Sequence, residues 1–119
     1  MLQNEVVRLG PADSANIYLV TQRICLDTAR YCIEIGIDYS ERQFIRLLLD
    51  TGALCHTTMD SAYRKTWVFA HASSACAAMC ERVVEACGNF PNDDRIRNCA
   101  RRCHECMKYC LDAKTVTVA

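Results

Sequence analysis

At 119 residues the chain is long enough to bury one sizeable core and too short for two ordinary domains. Fourteen basic residues balance fourteen acidic ones, and the pI lies near 6.8, so no net field draws the chain to nucleic acid or to an anionic membrane. The anomaly is ten cysteines, which in a small secreted chain read as a disulfide frame and in a reducing cytosol as metal or redox chemistry.

Residues 1–10 form an N-terminal extension. The opening MLQNEVVRLGP lacks the basic start and unbroken apolar run of a secretory signal, and no later stretch is apolar for the roughly 18 residues of a spanning helix. A cytoplasmic protein without a membrane partner is the expectation. Pro11 suits a helix start, with Asp13 and Ser14 in its first turn. From there to about Ile37 the pattern is helical, with Tyr18, Thr21, Cys25, Thr28, Cys32 and Ile35 on one stripe. Asp38-Tyr39-Ser40 is a short link, with Ser40 placed to cap a second helix over 41–63. That helix turns Phe44, Leu47 or Leu48, Thr51, Leu54 or Cys55, and Thr58 inward, and Gly52 permits a close approach at a modest propensity cost.

A third helix is expected from near Trp67 to Gly88 through Phe69, Cys76, Cys80, Val83 and Cys87. The interruption GNFPND offers a Gly to end it, a Pro that cannot continue it, and Asp residues for the next N-terminus. The fourth helix runs from about Asp94 to Leu111 through Ile96, Cys99, Cys103, Cys106 and Cys110. Residues 113–119 read as a frayed tail. Four helices with short links over 11–112 predict an all-α, antiparallel, up-down-up-down four-helix bundle.

Cysteines three, four and seven apart return to one face of a helix. Threaded through the bundle, all ten sulfurs gather toward the end that holds the first and third loops. Cys32, Cys87 and Cys99 come first, then Cys25, Cys80, Cys103 and Cys106, and deepest Cys55, Cys76 and Cys110. At the opposite end Ile17, Tyr18, Tyr63, Trp67 and Phe69 are expected to form an ordinary apolar core.

The pairs Cys76/Cys80, Cys99/Cys103 and Cys106/Cys110 have Cβ atoms roughly 5–6 Å apart on a helix, against about 3.8 Å in a disulfide. Intrahelical disulfides would distort the helices. Sulfurs on either side of a linear metal ion lie roughly 4.6 Å apart, taking metal–sulfur bonds of about 2.3 Å, which neighbouring turns supply. Soft thiolates select Cu(I), zinc or iron–sulfur clusters. Structural zinc favours ligand pairs around a tight loop, and the one CxxC, Cys103-His-Glu-Cys106, falls inside a helix. Zinc is the second metal the residues allow. Iron–sulfur clusters need four thiolates converging on one point, whereas these run lengthwise.

The segments NCARRCHECMKYC and ACAAMCERVVEAC resemble those of bacterial copper storage proteins, and FIRLLLDTGALC, with Arg46, Leu47 and Asp50, resembles that family's second helix. The resemblance covers about 13–111 and is most specific in the third and fourth helices. It implies cytosolic storage or sequestration of several Cu(I) ions by Cys25, Cys32, Cys55, Cys76, Cys80, Cys87, Cys99, Cys103, Cys106 and Cys110, in a homo-oligomer supplied by a copper chaperone. By the family's spacing, cysteines are expected where this chain has Thr28, Phe44, Thr51, Val83 and Ile96, which implies a reduced capacity.

Two other readings compete. Cys76 with Cys87 and Cys99 with Cys110 resemble the twin-cysteine frames of disulfide-stapled helical hairpins, and the same thiols suit a zinc- or copper-responsive interaction module. His104 and His56 read as flanking or surface residues ahead of ancillary ligands, His71 as bundle packing or surface, Met59, Met79 and Met107 as core fillers, and Arg95, Arg97, Arg101, Arg102 and Lys108 as a solvated face. No nucleophile–base pair or phosphate loop stands out, so no enzyme is expected.

Overall fold

A computed structural model describes the backbone of residues 11–36 and 41–118, and the side chains of residues 16–36 and 41–112. The expected extension over 1–10 and the link over 38–40, Ser40 included, lie outside these. Four helices follow in order: α1 over Pro11–Glu34, α2 over Arg42–Arg64, α3 over Val68–Cys87 and α4 over Asp94–Val118. No strand occurs among the described residues, and the chain is all-α.

The helix ends follow local chemistry. α1 stops at Glu34, short of Ile37, because Gly36 takes a left-handed φ of 73° and its N–H bonds back to Ile33. Ile35 therefore leaves the helical stripe and is exposed. α2 closes on Lys65, the one non-glycine residue at positive φ among those described. The N–H groups of Lys65 and Thr66 bond to the carbonyls of Ala62 and Ser61, the paired closure of a Schellman motif.

Gly88 caps the end of α3 as expected, but with a φ of −61° it does not do so as a left-handed residue. Instead the chain tightens through i to i+3 bonds at Gly88, Asn89 and Phe90 until Pro91 ends it. Asp93 then caps α4, its Oδ1 accepting the Ile96 N–H at 3.0 Å. α4 continues through Val118, past Leu111 and into the expected tail. No Gly or Pro follows Leu111 to stop it.

Each helix packs on its chain neighbours, and α1 against α4 closes the square. Along α1 and α4 the partners run in opposite order: Tyr31 meets Asp93, Cys25 meets Cys103, and Tyr18 meets Cys110. Between α2 and α3, Cys55 meets Cys76 and Thr58 meets Ala72. At Gly52 an added Cβ would stand 3.3 Å from Leu26, so glycine brings α2 close to α1 as its position predicts.

The core is a column between the four stripes. Buried on them are Phe44, Leu48, Thr51, Cys55 and Thr58 of α2 and Phe69, Cys76, Cys80, Val83 and Cys87 of α3. The expected second core is thinner than the sequence implies: Tyr18 and Phe69 are buried, but Tyr63 is 54% and Trp67 78% exposed. Trp67 precedes the first turn of α3 and stacks edge-on with exposed His71, where the α2–α3 turn carries it out of the column.

Candidate metal centre

All ten cysteines are buried and free, and nine of them have no exposed surface. Cys87 alone retains 3% exposure. They reach the column because each sits on the inward stripe of its helix, with one on α2, two on α1, three on α3 and four on α4.

Space keeps two of the intrahelical pairs read in the sequence together, Cys76/Cys80 and Cys99/Cys103, splits Cys106/Cys110, and adds thiols from other helices. Cys55, Cys76, Cys80 and Cys106, from three helices, place their sulfurs within 4.8 Å of one another, and Cys25, Cys99 and Cys103 do the same from two helices. Two of the closest contacts run between helices, with Cys25 Sγ to Cys103 Sγ and Cys55 Sγ to Cys76 Sγ both 3.7 Å. Each is far beyond the about 2.05 Å of a disulfide bond. Cys32, Cys87 and Cys110 stand outside both groups. The threaded order set Cys25 level with Cys103 and Cys55 level with Cys76, as the structure has them; it set Cys80 and Cys106 one layer away from Cys55 and Cys76, and Cys99 one layer away from Cys25 and Cys103, where the structure joins them.

The clustered thiols shift one another's proton affinity in opposite directions. Bonds from Cys110, Cys55, Cys76 and Cys80 draw the Cys106 thiol down, and bonds from Cys103, Cys25 and Cys87 do the same to Cys99. Cys76 is pushed up, first through Cys106, and Cys103 is pushed up, first through Cys25. Cys80 is drawn down to about 6, chiefly by Cys103, which links the two groups. At the outer end, burial and then the charge of Asp93 push Cys32 up to about 11.

The positions where cysteine is expected but absent also face the column. Thr28, Phe44, Thr51, Val83 and Ile96 are all buried. Thr51 spends its hydroxyl proton on the Leu47 carbonyl at 2.7 Å, in its own helix. Phe44 stacks on Phe90 at 5.1 Å between ring centres, beside the outer end of the row. There Tyr31 donates to Asp93 at 2.6 Å while the Arg95 guanidinium lies over the Tyr31 ring.

None of the three histidines joins the column: His56, His71 and His104 are exposed. Met59 and Met107 pack against the core, half-buried. Arg97 and Arg102 pair with Asp94 and Glu105 on the solvent side of α4. Among the described residues the buried polar side chains are Thr21, Thr28, Thr51, Thr58, Ser61 and Ser73, with no Lys, Arg or His.

Thiols from four helices, stacked lengthwise in a column with no buried cation, form a receptacle for soft metal ions. A protein-family model described as copper storage protein matches residues 14–115. The chain belongs to the copper storage protein family. No curated protein and no solved structure matches it. The family stores copper and the buried cysteine groups could hold metal ions, so the copper reading is favoured over the disulfide frame. Among the described residues no helix is long and apolar enough to cross a membrane.

Sequence reading missed two members of the inner end. Tyr18 was assigned to an ordinary apolar core, yet its Oη accepts a hydrogen bond from the Cys110 thiol at 3.7 Å. Burial, and then Cys110, push its phenol well above the usual range. Ser73, three residues before Cys76 on the same stripe, is fully buried beside it. Its position in the Cys76/Cys80 periodicity is the signal that would have found it.

Proposed function

We propose that the chain stores copper as Cu(I), held by all ten cysteines in two- and three-coordinate thiolate sites, without turnover of any substrate. Cu(I) is the soft monovalent ion suited to low-coordinate sulfur. The observation that carries the reading is the buried thiol column with no cationic side chain in it. A buried charge without a partner costs several kcal/mol, so the column favours metal and thiolate in equal charge. If each ion were held by its own pair of thiolates, capacity would be about five ions and every site would carry a surplus negative charge. Sharing thiolates between ions removes that surplus and raises capacity toward about ten.

A specific observation keeps zinc as a second reading. The Cys55, Cys76, Cys80 and Cys106 sulfurs lie within 4.8 Å of one another, near the about 3.8 Å edges of a tetrahedron with about 2.3 Å bonds. Four thiolates around one zinc ion would, however, leave two uncompensated negative charges in the column, and this favours Cu(I).

Anaerobic titration of the reduced chain with Cu(I) against a strong chelator, repeated with zinc present, tests both. Several tightly held copper ions that zinc does not displace are expected. Fewer than two would sink the storage reading. We further place the chain in the cytoplasm as a homo-oligomer loaded by a copper chaperone. Exposed Leu19, Leu26 and Ile33, seven apart along α1, support assembly, and a monomeric mass in sedimentation would remove that part.

A further inference from the structure

The α3–α4 turn, residues 88–93, is tied down to both of the other helices. Phe90 stacks on Phe44 of α2 at 5.1 Å between ring centres, with the planes 30° apart. Asp93 accepts the Tyr31 hydroxyl of α1 at 2.6 Å, and the Arg95 guanidinium lies 4.9 Å from the centre of the Tyr31 ring. The turn itself is wound by short backbone bonds, from the Phe90 N–H to the Cys87 carbonyl at 3.0 Å and from the Asp93 N–H to the Phe90 carbonyl at 3.2 Å. A link that only reverses the chain needs no such anchors, since most connections run over the surface with little packing of their own.

The anchors stand beside the outer thiols. Tyr31 precedes Cys32 in the chain, and Cys87, whose carbonyl receives the Phe90 N–H, is the last residue of α3. Cys32 and Cys87 lie outside both thiol groups, and Cys87 is the one thiol with any exposed surface. The two ends of the column differ in their cover. Beyond Tyr18 and Cys110, α1 and α4 run on for about two more turns. At the outer end α3 stops on Cys87 itself and α1 stops at Glu34, in the same turn as Cys32, so that the 88–93 turn lies where the helices no longer shield the sulfurs.

We propose that residues 88–93 form a strap whose two ties, Phe44–Phe90 and Tyr31–Asp93, set the rate at which Cu(I) passes between solvent and the column. This rests on the storage reading and adds a gate to it. A thiol gives up or receives an ion only when its sulfur meets the carrier, and under the closed strap Cys87 presents almost none of its surface. Releasing the strap uncovers Cys87 and Cys32 while the four- and three-thiol groups, built from other cysteines, keep their places. Because the strap is a barrier and not a ligand, its release speeds entry and exit alike and leaves capacity and affinity as they were. Phe44, standing where the family's spacing is expected to place cysteine, thus contributes a tie instead of a ligand.

The test follows the rate of Cu(I) transfer from a chelator complex to the reduced full-length chain, and of its removal from the loaded chain by excess chelator. It compares the unsubstituted protein with Phe90→Ala, Tyr31→Phe and Phe69→Ala. Tyr31→Phe removes the hydroxyl but keeps the ring beneath Arg95 and the Asp93 cap on α4. Phe90→Ala speeds both directions about tenfold, through loss of an aromatic pair and its burial, and Tyr31→Phe speeds them severalfold. Both keep the ion count and the chelator-competition affinity of the unsubstituted chain. Phe69→Ala, a cavity at the opposite end of the bundle, lowers the melting temperature and leaves both rates unchanged. Unchanged rates in Phe90→Ala and Tyr31→Phe overturn the gate while copper storage stands. Equal acceleration by Phe69→Ala does the same, since opening of the whole bundle is then the route. A lower ion count or affinity in Phe90→Ala or Tyr31→Phe also overturns it, by making the ties part of the binding sites. If the unsubstituted chain holds fewer than two ions, the storage reading falls and takes this proposal with it.

Discussion

At the scale of single residues, the side chain at each inward position sets both capacity and proton cost. Thr51 is fully buried one turn from Cys55, and its hydroxyl is satisfied within its own helix. Thr51→Cys replaces it with a thiol of similar volume facing the column. It should raise the Cu(I) capacity by about one ion in the same chelator titration, at a stability cost below about 1.5 kcal/mol; unchanged capacity would show that the position lies outside the metal row. Cys32 carries a pH signature. Its thiol is held up to about 11 in the fold, against an ordinary 9.0 in the unfolded chain. Between those values the unfolded chain has released this proton and the folded chain retains it, so stability from Cys32 is fully present below pH 9 and is lost as pH rises toward 11. Melting of the empty chain across that window should show a decline that Cys32→Ala makes shallower by one proton. All ten cysteines could be picked out as inward residues from periodicity alone, because a helix repeats its face every three to four positions. Ser73 was passed over because a buried hydroxyl on a sulfur stripe looks like neutral filler.

At the scale of elements, helix type, core faces and the levels of Cys25 with Cys103 and Cys55 with Cys76 were readable, and the helix ends were not. The stripe of α2 came out as read, with Leu48 and Cys55 as the inward members of the two ambiguous pairs. The ends depended on a few backbone angles: Gly36 terminated α1 by turning left-handed, and Gly88 stayed right-handed and left the stop to Pro91. Lys65 is the instructive case, since lysine does not announce a left-handed residue in a sequence. With φ of 55° and ψ of 43° it holds the position that glycine fills most easily. Lys65→Gly should raise the unfolding free energy by about 1 kcal/mol, since the left-handed region costs an L-residue roughly 1–2 kcal/mol and a glycine little. Chemical denaturation measures it directly. Lower stability would mean that the glycine's unfolded-state entropy outweighs the relief of the backbone.

For the whole molecule, the proposed metal ligands and the hydrophobic core are largely the same atoms. Among the described residues ten of the nineteen buried hydrophobic side chains are cysteines. The sequence reading divided the bundle into a sulfur half and an independent apolar half, but Tyr63 and Trp67 are outside and Tyr18 serves the sulfur row. Stability of the empty protein therefore falls on Leu48, Val83, Ile96 and Phe44, with thiols packing as small hydrophobes among them. Three of these four stand where the family's spacing is expected to place cysteine, so the residues expected to lower capacity also fill the column when no ion is there. On the proposed storage reading, copper would change the balance by tying helices together. The four-thiol group spans α2, α3 and α4, and the three-thiol group spans α1 and α4. An ion in each group would link all four helices, and a ligand bound only by the folded state adds about 2.7 kcal/mol when its concentration is a hundred times its Kd. The empty chain should thus remain helical by circular dichroism and melt cooperatively. Successive ions should raise Tm in steps, and removal of copper by a chelator should reverse the rise with no loss of helix at low temperature. An empty chain that is unfolded would show that metal, rather than these four apolar side chains, closes the column; a Tm indifferent to loading would place the bound ions outside it.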